Sequence, residues 1–159
     1  MINPDSFIHD TVEFVSKLIH ENIYDPENPT QKVRVVPSFP TEVRIPSISI
    51  FRMSGAYTKK LGPANITNMA RKEIRLQLDA WHKNIKFCDS LADQVSHILL
   101  IKQKEILAVG LYDYMEVNSF NNDLEQTKEY RRNTMEIRLR YIAGSSYNRE
   151  IMSNSNITI

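Results

Sequence analysis

Apolar and polar residues alternate strictly along Glu73–Trp81 and again along Met135–Tyr141. Ile74, Leu76, Leu78 and Ala80 form the apolar set of the first stretch, and Met135, Ile137, Leu139 and Tyr141 that of the second. A two-residue period sends the two sets to opposite faces of a strand, so both stretches predict half-buried strands of one sheet. They also share a phrase, Glu-Ile-Arg-Leu, at Glu73–Leu76 and Glu136–Leu139. The polar faces mix signs: Glu73, Arg75, Gln77 and Asp79 against Glu136, Arg138 and Arg140. Opposite charges on neighbouring strands add roughly 0.2–1 kcal/mol per pair. Such a face is either a solvated sheet surface or a surface that meets another protein or lines a passage.

Taken in order, the pattern opens with Phe7, Ile8, Thr11, Val12, Val15, Leu18 and Ile19 at helical spacing. That predicts an amphipathic helix over about Pro4–Glu21, capped by Asn3 and stopped by Asp25-Pro26-Glu27-Asn28-Pro29. Val33–Val36, followed by Pro37, Pro40 and Pro46, suits extended edge segments. Ser47–Met53 alternates cleanly and predicts a strand paired antiparallel with 70–82. The connection Ser54–Met69 is long and carries Gly55, Gly62-Pro63 and the pair Lys59-Lys60, a first place to look for a partner surface. Asn84 caps a second helix with Phe87, Cys88, Leu91, Ala92, Val95, Ile98 and Leu99 on one side, ending at Lys102-Gln103-Lys104. Ile106–Val117 reads as a third long strand interrupted by Gly110, a bulge or a close approach by another backbone. Tyr130–Ala143 pairs back on it across a long, acidic connection, 118–129.

The predicted fold class is α+β: helix, hairpin, helix, hairpin, with one antiparallel sheet and two helices on its apolar face. Leu76, Leu78, Ile137 and Leu139 should be buried against Phe87, Leu91 and Val95 of the second helix and Val15 and Leu18 of the first. Residues 1–144 form a single domain, and 145–159 a polar C-terminal extension whose last residues, Ile157-Thr158-Ile159, could add a strand to a neighbouring edge.

Composition changes this picture little. The chain of 159 residues, 42% hydrophobic and 25% charged, has ordinary globular values and one core's worth of length. A formal net charge of +1 gives no overall attraction to nucleic acid or membranes. The single cysteine, Cys88, allows no intrachain disulfide and sits in an apolar helical pattern, where a buried inert thiol is expected. Nothing at Met1–Asp5 reads as a secretory leader and no apolar run approaches membrane-spanning length, so a soluble intracellular product is expected.

Candidate chemistry is sparse. His9, His20, His82 and His97 lack metal-ligand spacing, and the four glycines at 55, 62, 110 and 144 make no phosphate-cradling loop. An enzyme would need a convergent polar cluster. The one available, His82 with Asp79 and Glu73, fails because the two carboxylates lie six positions apart on one strand, close to ~20 Å in extended geometry. No catalytic, cofactor-binding or metal residue is therefore expected.

Val36–Ile50, with its prolines at 37, 40 and 46, resembles the lead-in to the first hairpin of tail-terminator (tail-completion, neck) proteins of long-tailed bacteriophages. So do Arg71–Trp81, the helix carrying Asp89-Ser90-Leu91-Ala92-Asp93, and the closing strand Met135–Tyr141. The resemblance covers 1–143 as an arrangement of elements. It implies a small α+β protomer of a homohexameric ring, a structural virion protein with no cofactor. The ring would be assembled in the host cytoplasm, cap the tail tube protein and join it to the neck or head-completion protein. DNA would pass through without specific binding, and no membrane is involved. Candidate interface residues are Lys59, Lys60, Arg75, Asp79, Arg138 and Arg140. Two other readings stand beside it: a head-completion or baseplate adaptor ring, and a regulatory module that binds a host protein.

Overall fold

The computed structural model describes residues 4–53, 57–60, 70–120 and 130–143. Helix α1, Pro4–Asn22, is followed by strands β1, Arg34–Val36, β2, Ser47–Arg52, β3, Tyr57–Lys60, and β4, Ala70–His82. Helices α2, Ile85–Ile101, and α3, Gln103–Val109, then lead to β5, Tyr114–Phe120, and β6, Arg131–Ala143. The fold is α+β. Its six-stranded sheet has the order β1-β2-β4-β6-β5, with β3 pairing β4 off that path.

The two alternating stretches become β4 and β6, paired antiparallel along their full length, from Ala70↔Ala143 to His82↔Arg131. Leu76 stands opposite Ile137 and Leu78 opposite Met135, so their apolar sets share one face. On that face Ile48, Ile50, Ile74, Leu76, Leu78, Met135, Ile137 and Leu139 join one core with Val12, Val15, Leu18 and Ile19 of α1 and Leu91, Val95 and Leu99 of α2. Phe87, expected in that core, instead packs its ring on His82, 4.7 Å between centroids, at the first turn of α2. Asn84 caps α2 as expected: its side chain accepts the Phe87 N–H at 3.1 Å. The Asn3 cap, the side chains of Phe7 and Ile8 and the 145–159 extension lie outside the described residues.

Three expectations are corrected. The sheet is mixed, because β1 runs parallel to β2 (Arg34↔Ser47 to Val36↔Ser49). Pro37, Pro40 and Pro46 deny the chain a tight hairpin here, and the stretch between the strands carries it back to start β2 alongside β1. The connection Ser54–Met69 is not only a loop, since it contains β3, which prolongs the β2 side of β4 (Tyr57↔Glu73 to Lys60↔Ala70).

Third, Ile106–Val109 is helical rather than the start of a strand. Gln103–Ala108 consists of good helix formers and Gly110 ends them. Lys102 and Glu105 also form an i,i+3 ion pair at 3.5 Å. The chain therefore has a third helix, and only Tyr114 onward pairs with β6 (Tyr114↔Arg140 to Phe120↔Thr134). Gly110 marks neither a strand bulge nor the approach of another backbone: it ends the helix, and a side-chain ring lies against it. A Cβ placed there would sit 2.1 Å from a Tyr112 ring carbon, so only glycine fits. Tyr112 in turn shares a hydrogen bond with Thr11 of α1 at 2.7 Å, tying the α3–β5 corner to the first helix.

Among the described residues, no helix is long and apolar enough to cross a membrane.

Candidate interface on the polar sheet face

The face of β4, β6 and β5 turned away from the helices carries the charged half of the alternation. Cross-strand register sets it out in rows: Glu73–Arg140–Tyr114, Arg75–Arg138–Glu116, Gln77–Glu136–Asn118, Asp79–Thr134–Phe120, Trp81–Arg132. Arg75 opposite Arg138 is a like-charge pair, which alone would be unfavourable. Glu136 resolves it by meeting both guanidiniums, Arg138 Nε at 3.3 Å and Arg75 Nε at 3.7 Å. Arg140 Nε donates to Glu73 Oε2 at 2.9 Å while its guanidinium lies 4.4 Å from the centre of the Tyr114 ring.

These contacts leave an electrostatic signature. The hydrogen bond that Arg138 donates to Glu136 raises its pKa above the usual value, and the one that Arg140 donates to Glu73 does the same there. Glu116 accepts the Tyr114 hydroxyl at 3.1 Å and holds that phenol above its usual range.

Asp79 has the most closed environment. It is fully buried and accepts from Gln77 Nε2, 3.1 Å to each oxygen, and from Thr134 Oγ1 at 2.8 Å. Arg132 Nη1 stands 3.9 Å away and its guanidinium lies over Trp81, 5.4 Å from the ring. Trp81 donates its indole N–H to Ser49 Oγ and meets Tyr130 edge-on. The simple picture of a solvated face is thus corrected: Glu73, Asp79 and Glu136 are buried, whereas the Arg75, Arg138 and Arg140 side chains are each about a third exposed. Carboxylates on short stems lie against the sheet and the longer arginines close over them. The outer layer is guanidinium and aromatic ring, a composition enriched in protein interfaces. Four expected interface residues, Arg75, Asp79, Arg138 and Arg140, meet on this one face. Lys59 and Lys60 do not join them at its centre; they sit on β3, opposite Arg71 and Ala70.

No protein-family model matches this chain, and no curated protein matches it. The reading of the surface rests on its geometry.

The His82–Asp79–Glu73 grouping, rejected on strand spacing, is also divided between the two faces of the sheet. His82 belongs to the helix-covered face, the two carboxylates to the other. His82 is a satisfied interior histidine. Its Nδ1 accepts the Lys83 N–H at 2.8 Å, which leaves the ring proton on Nε2 for Asp25 Oδ1, also at 2.8 Å. Asp25, read in sequence only as part of a helix stop, is buried and accepts the Glu27 N–H as well. Lys83 pairs with Glu27 beside it. The 23–29 stretch is therefore clamped to the end of β4, a role no local pattern announces. Cys88 is buried, with its thiol directed at backbone carbonyls of His82 and Arg131. Among the described residues, no three of His, Cys, Asp and Glu are grouped to hold a metal ion. An open hollow of about 220 Å³ beside β1 lies between Arg34, Ser38, Phe39, Thr41 and Arg44. Its Arg44 is paired with Glu42 at 3.6 Å.

Proposed function

We propose that this chain is a ring-forming structural protein of a long-tailed bacteriophage, of the tail-terminator kind, capping the tail tube and joining it to the neck. The observation that carries the reading is the face of β4, β6 and β5 turned away from the helices, where arginines and aromatic rings lie over carboxylates already buried beneath them. Its charges are compensated within the face, so it offers specific contacts to a protein without a strong field. Such a wall suits a conduit for DNA, because paired arginines release few counterions when phosphates pass. The role proposed is structural rather than catalytic: among the described residues, the histidine–carboxylate pair His82–Asp25 is sealed by its own hydrogen bonds. The partners are further copies of the chain, the tail tube protein and the neck protein.

Deletion of the gene from its phage tests the reading. Electron microscopy of the lysate should show tubes of uncontrolled length, or finished tails unattached to filled heads, and the gene supplied in trans should restore joined particles. Normal infectious particles without the gene product overturn it.

A further inference from the structure

Arg75, Arg138 and Arg140 meet their carboxylates in the same way. Each turns its Nε toward the sheet: Arg75 and Arg138 to Glu136 Oε1, at 3.7 and 3.3 Å, and Arg140 to Glu73 Oε2 at 2.9 Å. The two carboxylate side chains are 6% and 9% exposed, whereas the arginine side chains are 33–34% exposed. Nη1 and Nη2 of all three arginines have no acceptor among the described residues. A guanidinium carries one N–H on Nε and the rest on its two Nη atoms. Most of the donor capacity of each arginine is therefore left unused by the fold.

The three are also brought together at a cost. Arg75 and Arg138 stand directly opposite in the register, a like-charge juxtaposition that is unfavourable on its own, and Glu136 is buried in meeting both. Arg140 is the next residue along the same face of β6, and its guanidinium lies 4.4 Å from the centre of the Tyr114 ring. That stacking restrains the fork before anything binds. Side chains opposite each other on paired strands start about 5 Å apart, and successive ones along one face about 7 Å apart. Side chains one turn apart on a helix start about 5–6 Å apart, which matches.

Range decides between a carboxylate and a phosphate. On this face Arg75, Arg132, Arg138 and Arg140 are matched by Glu73, Asp79, Glu116 and Glu136. Little field is left to gather a polyanion, and few counterions are there to release. Paired Nη donors act only at hydrogen-bond distance, where the two oxygens of a carboxylate fit them. A discrete carboxylate gains those bonds, while a nucleic-acid backbone depends on the missing field.

We infer that the arginine forks of β4 and β6 dock a protein segment that carries carboxylates one helical turn apart. The inference rests on the reading of this face as a protein contact and names what the partner presents to it.

Fluorescence anisotropy tests it, with the full chain titrated into labelled alanine-based helical peptides of about 18 residues. One peptide carries a pair of glutamates at i and i+4, on one face; another carries the pair at i and i+2, on different faces. A labelled DNA duplex is the third probe. The i,i+4 peptide should bind most tightly. Arg138→Lys and Arg75→Lys keep the charge but lose the fork, so each should weaken that binding by about tenfold while the melt by circular dichroism stays close to that of the unmodified chain. Either variant alone carries the comparison if the other does not fold. No binding of the i,i+4 peptide, equal binding of the two peptides, tighter binding of the duplex, or lysine variants as good as the arginines overturn the proposal. The ring is judged separately by the phage lysate. Joined particles lost on deletion, with no peptide bound, leave the ring and remove the forks; peptide bound, with normal particles made without the gene product, keeps the forks and removes the ring.

Discussion

At the corner between α3 and β5, three consecutive residues each carry a separate constraint. Gly110 lies under the Tyr112 ring, so Gly110→Ala should cost about 1–3 kcal/mol as an overpacked site, read from the urea midpoint. Leu111 adopts φ 54°, a left-handed conformation that L side chains resist, and its side chain is exposed. Leu111→Gly should therefore raise stability by about 1 kcal/mol. Tyr112 loses water on burial, and this pushes its hydroxyl pKa above the ordinary 10.0; Tyr141 nearby is raised for the same reason. The folded state then holds these protons more tightly than the unfolded chain does. Their contribution is complete below pH 10.0 and is lost as pH rises through the folded values. Tyr112→Phe should cost about 0.5–1.5 kcal/mol at neutral pH by removing the bond to Thr11. It should also make the alkaline fall in stability shallower, with Tyr141 accounting for what is left; an unchanged alkaline slope would remove Tyr112 from the account.

Between elements, the β4–β6 pair separates two kinds of position that alternate along the same strands. Leu76→Ala or Ile137→Ala should cost about 2–5 kcal/mol, since both side chains are fully buried under the helices. Arg75→Ala, on the opposite face, should cost well under 1 kcal/mol, because Glu136 keeps Arg138. Asp79→Ala falls between, about 1–3 kcal/mol, by taking the shared acceptor from Gln77 and Thr134. Thermal melts of the four variants check the order. Alternation made β2, β4 and β6 and their core face legible in the sequence, and Asn84 made the start of α2 legible. It could not show that arginines fold over carboxylates, because period two reports which face a residue takes and not how far its side chain reaches. Ile106-Leu107-Ala108-Val109 fits a buried strand as well as a buried helix turn; only the helix formers before it and the glycine after it decide. β3 is too short to show a period, and parallel β1 depends on a long-range neighbour. The Asp25–His82 bond joins residues far apart in the chain, beyond any local pattern.

For the molecule as a whole, 54–69 is the connection between β2 and β4 that carries β3. Replacing that stretch by a two-residue turn removes β3 and its register with Ala70–Glu73, but keeps the β2–β4 pairs from Ser47↔Trp81 to Arg52↔Leu76. The shortened protein should still melt cooperatively by circular dichroism, but supplied in trans to the deletion phage it should fail to restore joined particles. Normal infectious particles would show that the stretch is only a connector. The central position of β6 between β4 and β5 also governs how the chain is made. β4 leaves the ribosome with its apolar face formed, while the strand that completes it follows only after both remaining helices and β5. At ordinary rates of translation that interval is on the order of several seconds, long compared with helix or hairpin formation. Throughout it β4 exposes a thirteen-residue margin of unpaired backbone. Nascent chains stalled before Arg131 should therefore be captured by chaperones, and release of the finished chain should free them.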